Sequence, residues 1–535
     1  MLATLSLLAV LMIAPDSDTT HTTQQKVGTV HFTTTCAPDA QPIFNRAVAQ
    51  LHSFAFGASR QTFQEVLRID PNCAIAYWGL ALGDWGNPFA AGIKPNEVIE
   101  RGRADVERAR VTGGPSEREH QYVEAVAHLY QDAEERQPVR VAAYRAAMSE
   151  LAARHPADTE ATIFAELASV FAADPADKSY ASQIAAGATL ERLFKVLPDH
   201  PGLAHYIIHA YDVPPLARRA VVAARRYAQI APSTSHALHM PSHTYTRIGA
   251  WSQSIEVNIA SAKVAHAEGS TAEELHASDY QIYAYLQRGQ DRAAKGVVDA
   301  VAEMIRRFDP NAMGTGAPPA AGFFAIAAIP ARYALERDDW AAAAALESRP
   351  SPVPFADAVT HFARALGAAR IGDSVTASAA IDALGRIRLQ LEQHNESYWS
   401  EQVEIERLSA TAWLALARGK KDEALSAMRA AAEREDATEK NAISPGPLAP
   451  ARELLGDMFL ATHDPKSALT EYEATLKHEP NRYRALAGAA RAASEAGNVA
   501  TARTYYAQLL KLGDHADRPA RPQFVEAARI MKAAR

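Results

Sequence analysis

Apolar and polar residues alternate along this chain with helical spacing, and no stretch sustains the every-second-residue pattern of a β-strand. The clearest case lies toward the C-terminal end. Leu455-Gly456 opens one helix, Ala468 and Tyr472 lie on the next, and Pro480 closes the unit after LKHEP. The trio Ala468, Tyr472 and Leu476 returns, at one constant offset, as Ala502, Tyr506 and Leu510. A small residue where two helices cross, and a large aromatic one turn later, is what close packing of an antiparallel pair requires. The same grammar returns near the other end. Phe63, Leu67, Asp70 and Pro71 finish a second helix, and CAIAYWGLAL opens the next pair. Gly249-Ala250-Trp251 and Asp338-Asp339-Trp340 mark turns within pairs.

A helix pair repeating every ~34 residues is the tetratricopeptide (TPR) signature. The pattern predicts an all-α tetratricopeptide-repeat superhelix, or solenoid, from about residue 40 to 530, with room for about 14 pairs. Residues 37–310 form its first part, and 311–535 continue it. Length alone would suggest three or four domains of about 150 residues, but a stacked array has no single core to outgrow. Loops are expected at Gly113-Gly114-Pro115, from Gly314 to Gly322, from Arg349 to Pro354, and at Ser444-Pro445-Gly446-Pro447. The Gly-rich piece lacks the Gly-Lys-Ser/Thr of a phosphate loop and reads as a connector.

Composition narrows the function classes. A chain with 48% hydrophobic and 22% charged residues is globular, not disordered. Its net charge of −7 argues against non-specific nucleic-acid binding, so no nucleic-acid partner is expected. Leu2 to Ala14 is an apolar run, too short to span a membrane but the length of a signal-peptide core. Residues 1–20 therefore read as a signal peptide or as a frayed apolar helix. No later stretch has spanning length, so no membrane span is expected in the mature form. The two cysteines, Cys36 and Cys73, start neighbouring helices, where a disulfide is sterically reasonable in an oxidising compartment. A periplasmic or secreted location follows from export, and a cytoplasmic one from two free thiols.

Candidate chemistry sits between His200 and His276, where the chain's histidines are densest. His205 and His209 recur one repeat later as His239 and His243. With His236 and Arg247, the second pair follows i, i+3, i+7 and i+11, one face of one helix. In this architecture that face lines the concave groove. Adjacent first helices pack at about 8–10 Å, so matched imidazoles can reach a shared point. His pairs at i and i+4 are a standard route to a transition-metal site, and neutral imidazole suits Zn, Cu or Fe. Asp212 is a candidate carboxylate ligand or a partner orienting a ring. His276, offset from His236 by more than one repeat, is a candidate to close the site. His200 precedes Pro201 and reads as a turn cap. Pro241 either disturbs the helix between His239 and His243 or marks a helix start.

Other catalytic patterns are absent. Ser242 and His243 are sequence neighbours and point apart on a helix. There is no Gly-x-Ser-x-Gly elbow. Tyr206 and Met240 occupy the slots where a zincin would carry Glu. Tyr206, Tyr211 and Tyr245 are candidate proton donors. His52, Trp78, Asp84, Tyr283, Glu401, Glu404 and Glu406 are further groove candidates.

HPGLAHYIIHAYDVPPLARRA, SHALHMPSHTYTRIGAW and EREDATEKNAISPGPLAPARELLGDM resemble a largely uncharacterised bacterial family of exported TPR proteins. The likeness extends to FNRAVAQLHSF and DPNCAIAYWGLAL and so covers most of the chain. It implies fold and export. It also implies a histidine after the Glu-Lys of EDATEK, where this chain has Asn441. Two functions remain in view. One is a metal centre of His205, His209, His239 and His243, supporting hydrolysis or oxidation. The other is a non-enzymatic scaffold whose groove takes a peptide, protein or small ligand.

Overall fold

The computed structural model describes residues 25–89, 94–112, 116–131, 137–174, 176–312 and 316–533. Among these the chain is helical throughout, with no strand, and helices pair antiparallel along its length. The small-against-large rule read from the sequence builds the pairs. Ala468 and Tyr472 on the helix Pro465–His478 are buried, as are Ala502 and Tyr506 on Val499–Leu512. Tyr472 lies so close to Gly488 that a Cβ there would stand 2.3 Å from its ring. The Phe63 ring would be 2.2 Å from a Cβ at Gly79.

Two large apolar cores run through the array, one spanning Val27 to Tyr245 and the other Ala317 to Ala492. The chain then turns back on itself. Trp251 Nε1 donates to the Asn481 carbonyl, Tyr483 N donates to Gln287 Oε1, and Arg521 pairs with Asp291. Asn87 Nδ2 donates to the Gly316 carbonyl, and Lys178 pairs with Glu439. Segments far apart in sequence thereby meet, and Asn87 and Gly316 do so at the histidine cavity. Cys36 and Cys73 form a disulfide.

Two sequence expectations change. The segment read as a connector up to Gly322 ends inside the helix Pro319–Leu335, because Pro318 and Pro319 supply an extended cap and a pre-set first turn. The histidine face is a closed chamber, not an open groove: His205 and His239 are fully buried. The apolar run at Leu2–Ala14, Gly113-Gly114-Pro115 and Gly314 lie outside the described residues. No helix among the described residues is long and apolar enough to cross a membrane.

Candidate metal centre

Three stacked elements carry the histidines. The helix Pro201–Ala210 presents His205 and His209. The next element is two short helices, Ser235–His239 and Pro241–Arg247, joined at Met240. Pro241 marks a helix start, yet Met240 keeps right-handed helical angles, so His236, His239 and His243 stay on one face. The helix Thr271–Gln287 adds His276.

These side chains gather as two groups of three. One ring nitrogen from each of His205, His209 and His236 lies within 4.8 Å of the other two, and the same holds for His239, His243 and His276. The doubled pair of the sequence is therefore split, one pair to each group. His236 and His276 supply the third member of each. Asp212 and Arg247 stand behind. Asp212 accepts from His243 Nδ1 at 2.9 Å, from Arg247 Nε at 2.9 Å and from Lys440 Nζ at 3.1 Å. It therefore orients a ring and does not face the groups' shared nitrogens.

Outer partners fix the tautomers. His205 Nδ1 donates to the His52 carbonyl at 2.7 Å, and His236 Nδ1 to Glu273 Oε1 at 2.8 Å. His239 Nδ1 donates to Asn258 Oδ1 at 2.7 Å. The Asn258 amide is itself oriented, since its Nδ2 donates to the Ser254 carbonyl. With their Nδ1 protons committed, the Nε2 atoms of these rings present lone pairs. The consequence is sharpest at His239 and His243, whose Nε2 atoms face each other at 3.1 Å. His205 and His209 Nε2 stand 3.0 Å apart. Tetrahedral coordination at about 2.0–2.1 Å puts donor nitrogens about 3.3 Å apart. His236 Nε2 and His276 Nδ1 are buried without a hydrogen-bond partner.

Burial, reinforced by neighbouring imidazoles, holds His205, His209 and His239 well below the ordinary imidazole range. Burial brings His276 down to about 3. At His243 burial also wins, over the opposing pull of Asp212. Burial works against the ionised form of Asp212, but Lys440 and Arg247 outweigh it and keep the carboxylate charged. These rings are thus neutral, lone-pair donors at neutral pH.

Neither a protein-family model nor a curated protein matches this chain. Among solved structures, the human IFIT1 dimer with m7Gppp-AAAA is similar at 10% identity, over 83% of this chain and 90% of that one, with a TM-score of 0.36. The human IFIT1 dimer with PPP-AAAA is similar at 10% identity, over 83% and 91%, with a TM-score of 0.34. The helix pairs themselves make the chain a TPR-like all-α scaffold bearing histidine clusters.

A third group, His52, Glu160 and His200, is of a different kind. Glu160 accepts from His52 Nε2 at 2.8 Å and from His200 Nε2 at 2.9 Å. Tyr206 donates to His52 Nδ1, and the Leu203 N–H to His200 Nδ1. Every ring nitrogen is used, so the group is a hydrogen-bonded brace. It fixes His52, whose carbonyl orients His205. The Tyr206 hydroxyl is committed there and does not face the six rings. His200 caps its helix.

Residues 437–450 form a strap over the chamber. Tyr280 donates to the Ala442 and Ser444 carbonyls, each at 3.1 Å. Arg332 ties Asp279 to Ser444 and to the Gly446 carbonyl. Asn441 reaches the chamber wall, but its Oδ1 accepts from Ile443 N, a local turn. On its other side the strap borders a second cavity with Trp399, Glu406 and Glu435. Burial pushes both carboxyls up to about 8.

Asn258, Glu273 and the His52 carbonyl were not foreseen as partners. Glu273 sits one helical turn before His276 on the same face, the one cue the sequence offered.

Proposed function

We propose that this chain is an exported transition-metal protein. His205, His209 and His236 take one ion, and His239, His243 and His276 take a second. The observation that carries the reading is the His239–His243 pair. Two neutral imidazoles with committed Nδ1 protons hold their Nε2 lone pairs toward each other, 3.1 Å apart. A shared cation turns that repulsion into coordination. A shared proton would do so only against the burial that keeps both rings neutral. The bound group fits the residues: all-imidazole donors suit Zn, Cu or Fe, and outer acceptors on Nδ1 are the usual support of metal-bound histidine. Three protein ligands leave a coordination position for water or dioxygen, the arrangement of catalytic sites. Hydrolysis or oxidation at that position is the activity proposed. The Cys36–Cys73 disulfide supports a periplasmic or secreted setting.

Elemental analysis of untagged protein after reconstitution tests the reading. About two equivalents of Zn or Cu per chain are expected. His239→Ala/His243→Ala should lose one with an unchanged circular-dichroism spectrum. Less than about 0.2 equivalents in the parent protein overturns the proposal.

A second reading, a scaffold for a peptide or small ligand, has its own observation. A cavity in the C-terminal half is lined by Trp340, Arg370, Trp413 and Arg484. Arg370 lies over the rings of Trp340 and Trp413 at 4.3 and 4.1 Å with its Nη1 3.7 Å from Asp457, and the Trp413 Nε1 makes no hydrogen bond. Binding there would be indifferent to chelators.

A further inference from the structure

The two histidine groups adjoin. Within a group, ring centroids stand 4.4 Å (His239–His276) to 6.3 Å (His243–His276) apart. Between groups, His209–His243 and His236–His239 are each 6.2 Å apart. The step from one group to the other is therefore no wider than the widest step inside one. A small cavity lies at the junction. It is lined by His209 and His236 from the first group and by His243 and His276 from the second. Phe89, stacked on His209 at 4.1 Å, and Ile443 of the strap form other parts of its wall.

We propose that the two ions form one dinuclear centre bridged by a hydroxide held in this cavity. The inference rests on the metal-binding reading above and deepens it. Imidazole is an uncharged ligand, so six of them bring no charge to two divalent ions. The nearest carboxylates are Glu273, which accepts from His236 and from the Ala317 N–H, and Asp212, which Arg247 and Lys440 already offset. Four positive charges in a buried chamber therefore call for an anionic ligand. A single divalent ion lowers the pKa of bound water to about 7, and a second ion on the same oxygen lowers it further. Bridging breaks one O–H bond of a water. The oxygen stays between the ions, and the proton leaves to solvent. Two-metal sites with ions about 3.5–4 Å apart use such an oxygen as a nucleophile. The cavity is walled by ligand rings, the strap and apolar side chains, so its occupant is a small oxygen species or small anion and not an extended substrate.

Cu(II) is the probe, because each ion carries one unpaired electron and a bridging hydroxide couples two of them into a state without a paramagnetic signal. The full chain is loaded with Cu(II), its copper is counted chemically, and the paramagnetic signal is integrated. The expected result is two coppers per chain with a signal at least five-fold below the total copper. His276→Ala breaks one group and should retain one copper, whose signal then matches the copper present. His209→Ala asks the same question from the other group should the first variant fail to fold. Two coppers with full signal overturn the bridge and leave the two-site reading standing. A single copper in the parent protein overturns the pair. No bound copper, nor zinc under the same conditions, overturns both readings together.

Discussion

What a histidine can do here is decided one atom away from the site. His239 offers Nε2 inward because Asn258 accepts its Nδ1 proton, and Asn258 can only accept because Ser254 holds its amide the other way round. Asn258→Leu keeps the volume roughly constant and removes the acceptor. It should lower metal affinity about 10–100-fold, measured by competition with a chromogenic chelator. The unpartnered Nδ1–H costs about 1–3 kcal/mol of stability as well, so a thermal melt must accompany the titration. An unchanged affinity with a lowered melting temperature would make Asn258 a packing residue only. This scale is where the sequence was least informative. The recurrence of His205 and His209 as His239 and His243 could be read by counting. Asn258 belongs to a different helix from His239, and only tertiary packing brings the two together.

At the scale of elements, the helix pairs were legible because their packing slots repeat. Ala468, Tyr472, Ala502 and Tyr506 occupy the buried positions that the repeat period assigns them. The face carrying His236, His239 and His243 was legible for the same reason, and Pro241 does not break it because a proline is welcome in a first turn. His276 resisted, since an insertion shifts its register, yet its helix delivers it to the second group. Of the strap, the sequence marks only a loop at Ser444-Pro445-Gly446-Pro447. A covering role depends on what lies beneath, and period analysis sees nothing of that. Its anchors now make a prediction. Tyr280→Phe deletes the hydroxyl that serves the Ala442 and Ser444 carbonyls without touching the ring's packing. Metal transfer to a chelator should quicken several-fold while stoichiometry stays the same, because the hydroxyl anchors the strap and its contact with a ligand ring, 3.4 Å to His243 Nδ1, leaves Nε2 untouched. An unaltered transfer rate would mean that metal leaves by another route.

For the whole molecule the question is whether so long an array unfolds as one body. Repeat arrays are held by neighbour contacts and lose cooperativity as they lengthen. This chain counters that by closing on itself: Asn87 on Gly316, Lys178 on Glu439, Trp251 on Asn481 and Arg521 on Asp291 join segments more than two hundred residues apart. The Cys36–Cys73 disulfide gives a way to measure the effect. Its sequence separation of 37 corresponds to about 4 kcal/mol of chain entropy removed from the unfolded state. The shift in melting temperature is that energy divided by the unfolding entropy of whatever unit melts. For all 535 residues melting together, Cys36→Ser/Cys73→Ser should lower the transition by about 3 °C. For the Val27–Tyr245 core melting alone, the same energy falls on a smaller entropy, and the drop is about 8 °C. The closing contacts favour the smaller shift in a single calorimetric peak, with metal stoichiometry unchanged, because Glu160 and Tyr206 hold His52 in place independently of the disulfide. A peak that splits, its lower half moving by the larger amount, would show that the superhelix melts in sections and that these closing contacts do not unite it.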